Sequence, residues 1–149
     1  LKKIPKKYDF IVASHHIEHI ANPLKALIEW KEILKPGGYI LAIMPHKAET
    51  FDRKRPVTQM SHLVSDYVSD IGEDDMTHRD EQVRLHDWTM GGMKNFDELS
   101  LNNKATRVIH HHCFDTALVR EMFEYCGYTT LQNYYIGNGN IVYLGKVSD

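Results

Sequence analysis

Histidine is the residue around which the chemistry of this chain must be read. There are ten in 149 residues, and most fall in clusters. An imidazole with a reference pKa of about 6.5 takes or gives a proton near neutral pH, and its neutral nitrogen is also a metal ligand. The first cluster, His15-His16-Ile17-Glu18-His19, spells H-x-x-E-H. As a metalloprotease signature that string needs a helix carrying both histidines and the glutamate on one face. Here it follows an apolar strand pattern and precedes a helix cap, so the match is read as accidental. His19 is instead a candidate to accept the proton of an attacking hydroxyl or amine. Its competing role is to bond a backbone carbonyl and shape the loop.

The densest cluster is His110-His111-His112-Cys113. In an extended segment His110 and His112 point to one face and His111 to the other, so at most two are expected to face one pocket. Pocket lining ranks first for this run, a buried polar layer second and metal binding third. Adjacent histidines on a strand cannot all reach one ion, and no metal is assigned. A third group joins Glu73-Asp74-Asp75 to His78 and Glu81. Carboxylates there serve first as helix caps. Asp75 and His78 are also candidates to bind a polyhydroxy substrate or a hard cation. Arg53, in the basic stretch Asp52-Arg53-Lys54-Arg55, is a candidate partner for a phosphate or carboxylate on a substrate. Ser14 and His15 follow a strand's carboxyl end, where open α/β sheets bind ligands.

The elements that must position these groups are legible. Tyr8–Ala13 is a nearly continuous apolar run, the pattern of a buried parallel strand. Asn22 then Pro23 is a helix cap and first turn. The helix runs to about Leu34 and is stopped by Pro36-Gly37-Gly38. Tyr39–Met44 is a second buried strand, completing a right-handed βαβ unit. From His46 to about Cys113 the alternation stops and a mostly helical insertion is expected. Its first helix is apolar at Met60, Leu63, Val64, Tyr67, Val68 and Ile71, with Thr58 as cap. A second begins at Thr77 with Asp80 as capping-box partner and ends near Gly91-Gly92. A third covers Phe96–Asn103. Asp115 or Thr116 caps a closing helix ended by Gly127. Two strands then flank Gly137-Asn138-Gly139 as a hairpin. The chain is read as one partial domain, with a core over 1–45, the insertion over 46–113, and helix and hairpin over 114–149.

Composition sets the outer limits. The chain is 42% hydrophobic and 26% charged, as in a folded globular domain. A net charge of −2 gives no electrostatic reason to expect nucleic acid or an anionic membrane as partner. No apolar run approaches a membrane span. Two cysteines make no disulfide framework, so a cytoplasmic setting is expected. A chain that opens at Leu1 and enters a strand within eight residues reads as a piece of something longer.

The residues Tyr8-Asp9-Phe10-Ile11-Val12-Ala13-Ser14, Ile17-Glu18-His19-Ile20, Asn22-Pro23 and Leu34-Lys35-Pro36-Gly37-Gly38 carry a resemblance. Together they look like the second half of a class I S-adenosylmethionine-dependent methyltransferase. The resemblance covers Lys7–Pro45 well and Phe114–Val147 by pattern. It implies a partial α/β Rossmann-like sheet, its strands matching the fourth to seventh of seven, with a helical insertion that varies with substrate. It implies S-adenosyl-L-methionine as cofactor, with Ser14 and His15 lining its methionine end. His19, His110, His111 and His112 are then the catalytic candidates, and Asp75, His78 and Arg53 the substrate-binding ones. The acceptor is expected to be a small molecule or a sugar, and the N-terminal half of the same domain is the expected partner. The family's Gly-rich turn and ribose-binding carboxylate are absent from these residues, and Gly137-Asn138-Gly139 is a hairpin turn. This stretch alone is therefore expected to be inactive. The alternative is a truncated, non-catalytic fragment or interaction module.

Overall fold

A computed structural model describes residues 6–148; Leu1 to Pro5, which open the expected core segment, and Asp149 lie outside the described residues. Strand β1, Tyr8–Ser14, leads through a short 3-10 turn at Ile17–His19 into helix α1, Pro23–Ile33. Asn22 caps α1 as its sequence requires: the side chain accepts from Lys25 N at 3.1 Å, and Pro23 occupies the first helical position. Strand β2, Leu34–Pro45, runs parallel to β1. The expected hairpin follows in β3, Tyr128–Tyr135, and β4, Asn140–Val147, which pair antiparallel. The sheet order is β1-β2-β4-β3, with β4 antiparallel to both neighbours.

Two expectations change here. Leu34-Lys35-Pro36-Gly37-Gly38 is part of β2, not a separate stop. Leu34 pairs with Tyr8 and Tyr39 with Phe10, so the turn is absorbed as a bulge. Gly38 makes that possible, because a Cβ there would sit 2.9 Å from the Lys35 carbonyl and 3.2 Å from that of Asp9. The other change concerns burial. Among the described residues only one face of the sheet is covered by helices. Ile40, Ala42, Met44, Ile141 and Tyr143 are fully buried on it, against Leu24 and Leu27 of α1 and Val119, Met122 and Phe123 of helix α6, Thr116–Tyr125. Phe123 stacks on Tyr143 with ring centroids 3.9 Å apart. Phe10 and Val12 of β1 stay 67% and 58% exposed. A continuous apolar strand is normally covered on both faces; among the described residues nothing covers this one.

Between β2 and α6 lie the helices α2, Met60–Val68, α3, Arg79–Leu85, α4, Phe96–Ser100, and α5, Asn103–Thr106. Each is shorter than its pattern suggested, for a local reason. Thr58 does not cap α2, because its hydroxyl accepts from Cys113 N at 3.0 Å. Asp70 enters the left-handed region (φ 51°), and α2 closes before Ile71. Thr77 bonds back to Asp75 in a turn of its own, so α3 starts at Arg79 without a side-chain cap. It ends at His86, and Asp87 then caps a separate 3-10 turn over Trp88–Met90. The expected third helix is broken in two around Leu101-Asn102.

Candidate functional site

The carboxyl ends of β1 and β2 meet one side of the chain segment 108–114, and the side chains gathered there form a polar row. His15 turns the chain out of β1 with a left-handed backbone (φ 47°) while its N–H holds the Ile43 carbonyl at 2.9 Å. The 3-10 turn then points Glu18 and His19 inward. Glu18 is buried, and burial raises its carboxyl above the ordinary value despite the nearby histidines. His19 Nδ1 donates to the Ile109 carbonyl at 3.1 Å, which leaves its lone pair on Nε2. Burial, reinforced by the neighbouring His110, lowers its pKa to about 4, so the ring is neutral at pH 7.

His110 packs edge-on against His19 with centroids 4.7 Å apart. Its Nδ1 donates to Asp52 Oδ2 at 2.5 Å, again leaving Nε2 as the acceptor. Burial alone would raise the Asp52 carboxyl, but the hydrogen bond from His110, with the charge and hydrogen bond of Arg55, holds it below the ordinary range. Arg55, itself buried, donates to Asp52 Oδ1 and to the His110 carbonyl, both at 2.8 Å, and reaches Glu81. The His110 N–H is fixed by Gln82 Oε1 at 2.9 Å, and Phe51 lies 4.8 Å from the ring. An imidazole oriented by a carboxylate in this way can act as a base toward a hydroxyl. Glu18, His19 and His110 bring one ligand atom each within 4.8 Å of one another.

His15, Glu18, His19 and His110 line a cavity of about 350 Å³. Asn138, Gly139 and Asn140 close its other side. The hairpin turn reaches this edge because β4 begins beside the end of β2: Pro45 pairs with Asn140, and His46 N bonds the Gly139 carbonyl at 2.7 Å. A larger cavity of about 740 Å³ adjoins His19 and is lined by His16, Trp30, Glu73 and Arg107 among others.

The remaining sequence candidates divide. Of the three consecutive histidines only His110 lines the smaller cavity. His111 and His112 have no exposed side chain and turn toward the helices. Burial lowers the His111 pKa to about 4 against the pull of Asp75, whose Oδ2 is 3.6 Å away. His112 donates from Nε2 to the Ala21 carbonyl at 3.1 Å. His78 packs against His62, His111 and His112, away from His19. Arg53 is held by Asp87 and Thr89 and lines neither cavity, so its charge is already used within the protein. Ser14 and His15 are exposed at the end of β1. The residues missed from sequence are Asp52, Arg55, Phe51 and the hairpin turn. Asp52 and Arg55 were visible only as a solvated basic stretch, because their partner His110 lies far along the chain. Both cysteines are buried, and burial pushes each thiol up to about 12, which excludes a thiolate nucleophile.

A family model described as a methyltransferase domain matches residues 2–133. No curated protein matches the chain. Among solved structures, a chain from the complex between the Haloferax volcanii Trm112 methyltransferase activator and the putative methyltransferase is 14% identical, with a TM-score of 0.54 over 99% of this chain and 58% of that one. A possible histamine N-methyltransferase from Thermotoga maritima is 16% identical, with a TM-score of 0.51 over 97% of this chain and 59% of that one. PigF with SAH is 14% identical, with a TM-score of 0.50 over 97% of this chain and 32% of that one. The chain thus spans less than two thirds of the length of these structures. With the sheet order, the parallel βαβ unit and the closing hairpin all in agreement, the chain belongs to the methyltransferase-domain family and has the fold of the class I S-adenosylmethionine-dependent methyltransferases.

Proposed function

We propose that this chain is the C-terminal, acceptor-side part of a longer enzyme that transfers a methyl group from S-adenosyl-L-methionine to a hydroxyl of a small-molecule or glycan-like acceptor. The observation that carries the reading is the Asp52–His110 pair, 2.5 Å apart, at the wall of a cavity outside the carboxyl ends of two parallel strands. Ligands bind at that edge of an open α/β sheet.

The residues present fit one end of the cofactor. Glu18 lines the cavity, and its Oε2 is buried without a hydrogen bond. A buried carboxylate oxygen without a donor is costly, and an ammonium group would satisfy it. Ser14, His15 and Glu18 would hold the methionine end, and when bound the cofactor supplies an electrophilic methyl. The chain's own residues do the rest. Arg55 fixes Asp52, Asp52 fixes the tautomer of His110, and His110 Nε2 takes the acceptor's proton as its oxygen attacks. His19, neutral and adjacent, offers a second acceptor nitrogen. The larger cavity suits the acceptor: Trp30 and His16 present flat ring faces, and Glu73 and Arg107, ion-paired with each other, keep further donor and acceptor sites for hydroxyls. The exposed Phe10 and Val12 and the unpaired edge of β1 support an N-terminal half of the same domain as the partner that covers them.

The test is a transfer assay on the full-length protein with labelled S-adenosylmethionine against a panel of sugars and small alcohols. Label is expected in a hydroxylated acceptor. Failure of the full-length protein to bind S-adenosylmethionine would overturn the reading.

A further inference from the structure

Behind the cavity wall, on the far side of the 108–114 segment, four side chains from three separate stretches converge. His62 and Asp66 stand one turn apart on α2, His78 immediately precedes α3, and His112 comes from the returning segment. His62 Nε2 lies 3.0 Å from His78 Nε2 and 3.3 Å from Asp66 Oδ2. One ligand atom from each of the four falls within 4.8 Å of all the others. A tetrahedral ion with bonds of about 2.0–2.1 Å places its ligand atoms about 3.3 Å apart, close to the 3.0 Å and 3.3 Å that separate His62 Nε2 from His78 and Asp66.

We propose that His62, Asp66, His78 and His112 bind one divalent cation of the zinc type. A second observation separates this from a plain buried polar layer. Asp66 Oδ2 and His112 Nδ1 are buried with no hydrogen-bond partner, and the His112 side chain is fully buried. A polar layer satisfies its members; this one leaves an oxygen lone pair and a ring nitrogen unused. His112 gives its Nε2–H to the Ala21 carbonyl, the outer hydrogen bond that metal-bound histidines usually make from their second nitrogen. Three imidazoles and one carboxylate favour zinc over calcium or magnesium, which take oxygen ligands. Four protein ligands leave no open position, so the site is structural. The half-exposed His62 provides the way in. The ion would pin α2 and the start of α3 to the strand of chain that carries His110. The site is independent of methyl transfer and survives if that reading fails.

The experiment is metal titration of the full-length protein after chelator washing and desalting. Zinc is expected to bind at one equivalent per chain and raise the melting temperature. Cobalt(II) is expected to give the visible spectrum of a tetrahedral centre. His62→Ala, at a half-exposed position, should weaken zinc binding at least about tenfold and abolish that spectrum, and Asp66→Asn should do likewise. Circular dichroism of the metal-free variants shows whether each is folded. No zinc binding, or binding that His62→Ala and Asp66→Asn leave intact while His19→Ala removes it, would overturn the proposal.

Discussion

The single most consequential side-chain contact is the one between Asp52 and His110, because it decides which nitrogen of the ring can accept a proton. Asp52→Asn keeps the shape and removes the charge. In the full-length protein it is expected to lower turnover roughly 100-fold or more while leaving cofactor affinity nearly unchanged, measured as kcat against Kd. Arg55 holds the other carboxylate oxygen from a fully buried position. Arg55→Leu strands the Asp52 charge, and urea denaturation is expected to show a loss of about 3–5 kcal/mol. His19 gives a pH prediction. Its folded pKa of about 4 lies below the ordinary value near 6.5, so between those values the unfolded chain binds more protons. Stability is therefore full above about pH 6.5 and falls as pH drops through the window, by about 2 kcal/mol at pH 5 from this ring. His19→Gln should lose that much less than the parent between pH 7 and pH 5. An equal pH dependence in the two proteins would contradict the burial of a neutral His19.

At the scale of elements, the βαβ unit and the hairpin were legible because each rests on local chemistry: an Asn-Pro helix start, continuous apolar runs, a Gly-Asn-Gly turn. Asn22 also joins elements, since its amide donates to the Asp66 carbonyl at the end of α2 while its oxygen caps α1. Asn22→Ala is expected to cost about 1–2 kcal/mol by thermal or chemical melting, the upper end reflecting both contacts. The insertion was legible as helical but not in its bounds. Thr58, Thr77 and Asp70 were each taken by side-chain or backbone contacts that no spacing announces. The consecutive histidines defeated strand alternation for a related reason. Their segment pairs with no strand, and its N–H groups go to Gln82 and to the Glu18 carbonyl, so each ring finds its own neighbourhood. The i, i+4 pair His62 and Asp66 stood in the sequence as the polar edge of α2, unremarked beside its apolar face.

For the whole molecule, one face of the sheet is a finished core and the other is bare at β1 among the described residues, while the cavity at the carboxyl ends of β1 and β2 gathers Glu18, His19 and His110. The resemblance could be read from Tyr8 to Gly38 because those motifs are contiguous. Asp52 could not, because its role exists only once the insertion folds back onto the sheet. These 149 residues alone are expected to bind S-adenosylmethionine weakly or not at all by calorimetry, and an upstream extension should restore binding. The measurement that bears most directly on the account compares full-length wild type with His110→Ala for rate of methyl transfer and for S-adenosylmethionine affinity. The account predicts a turnover lower by about 10²–10⁴-fold with affinity changed by no more than about threefold. Unchanged turnover in His110→Ala, or a loss confined to cofactor affinity, would contradict it.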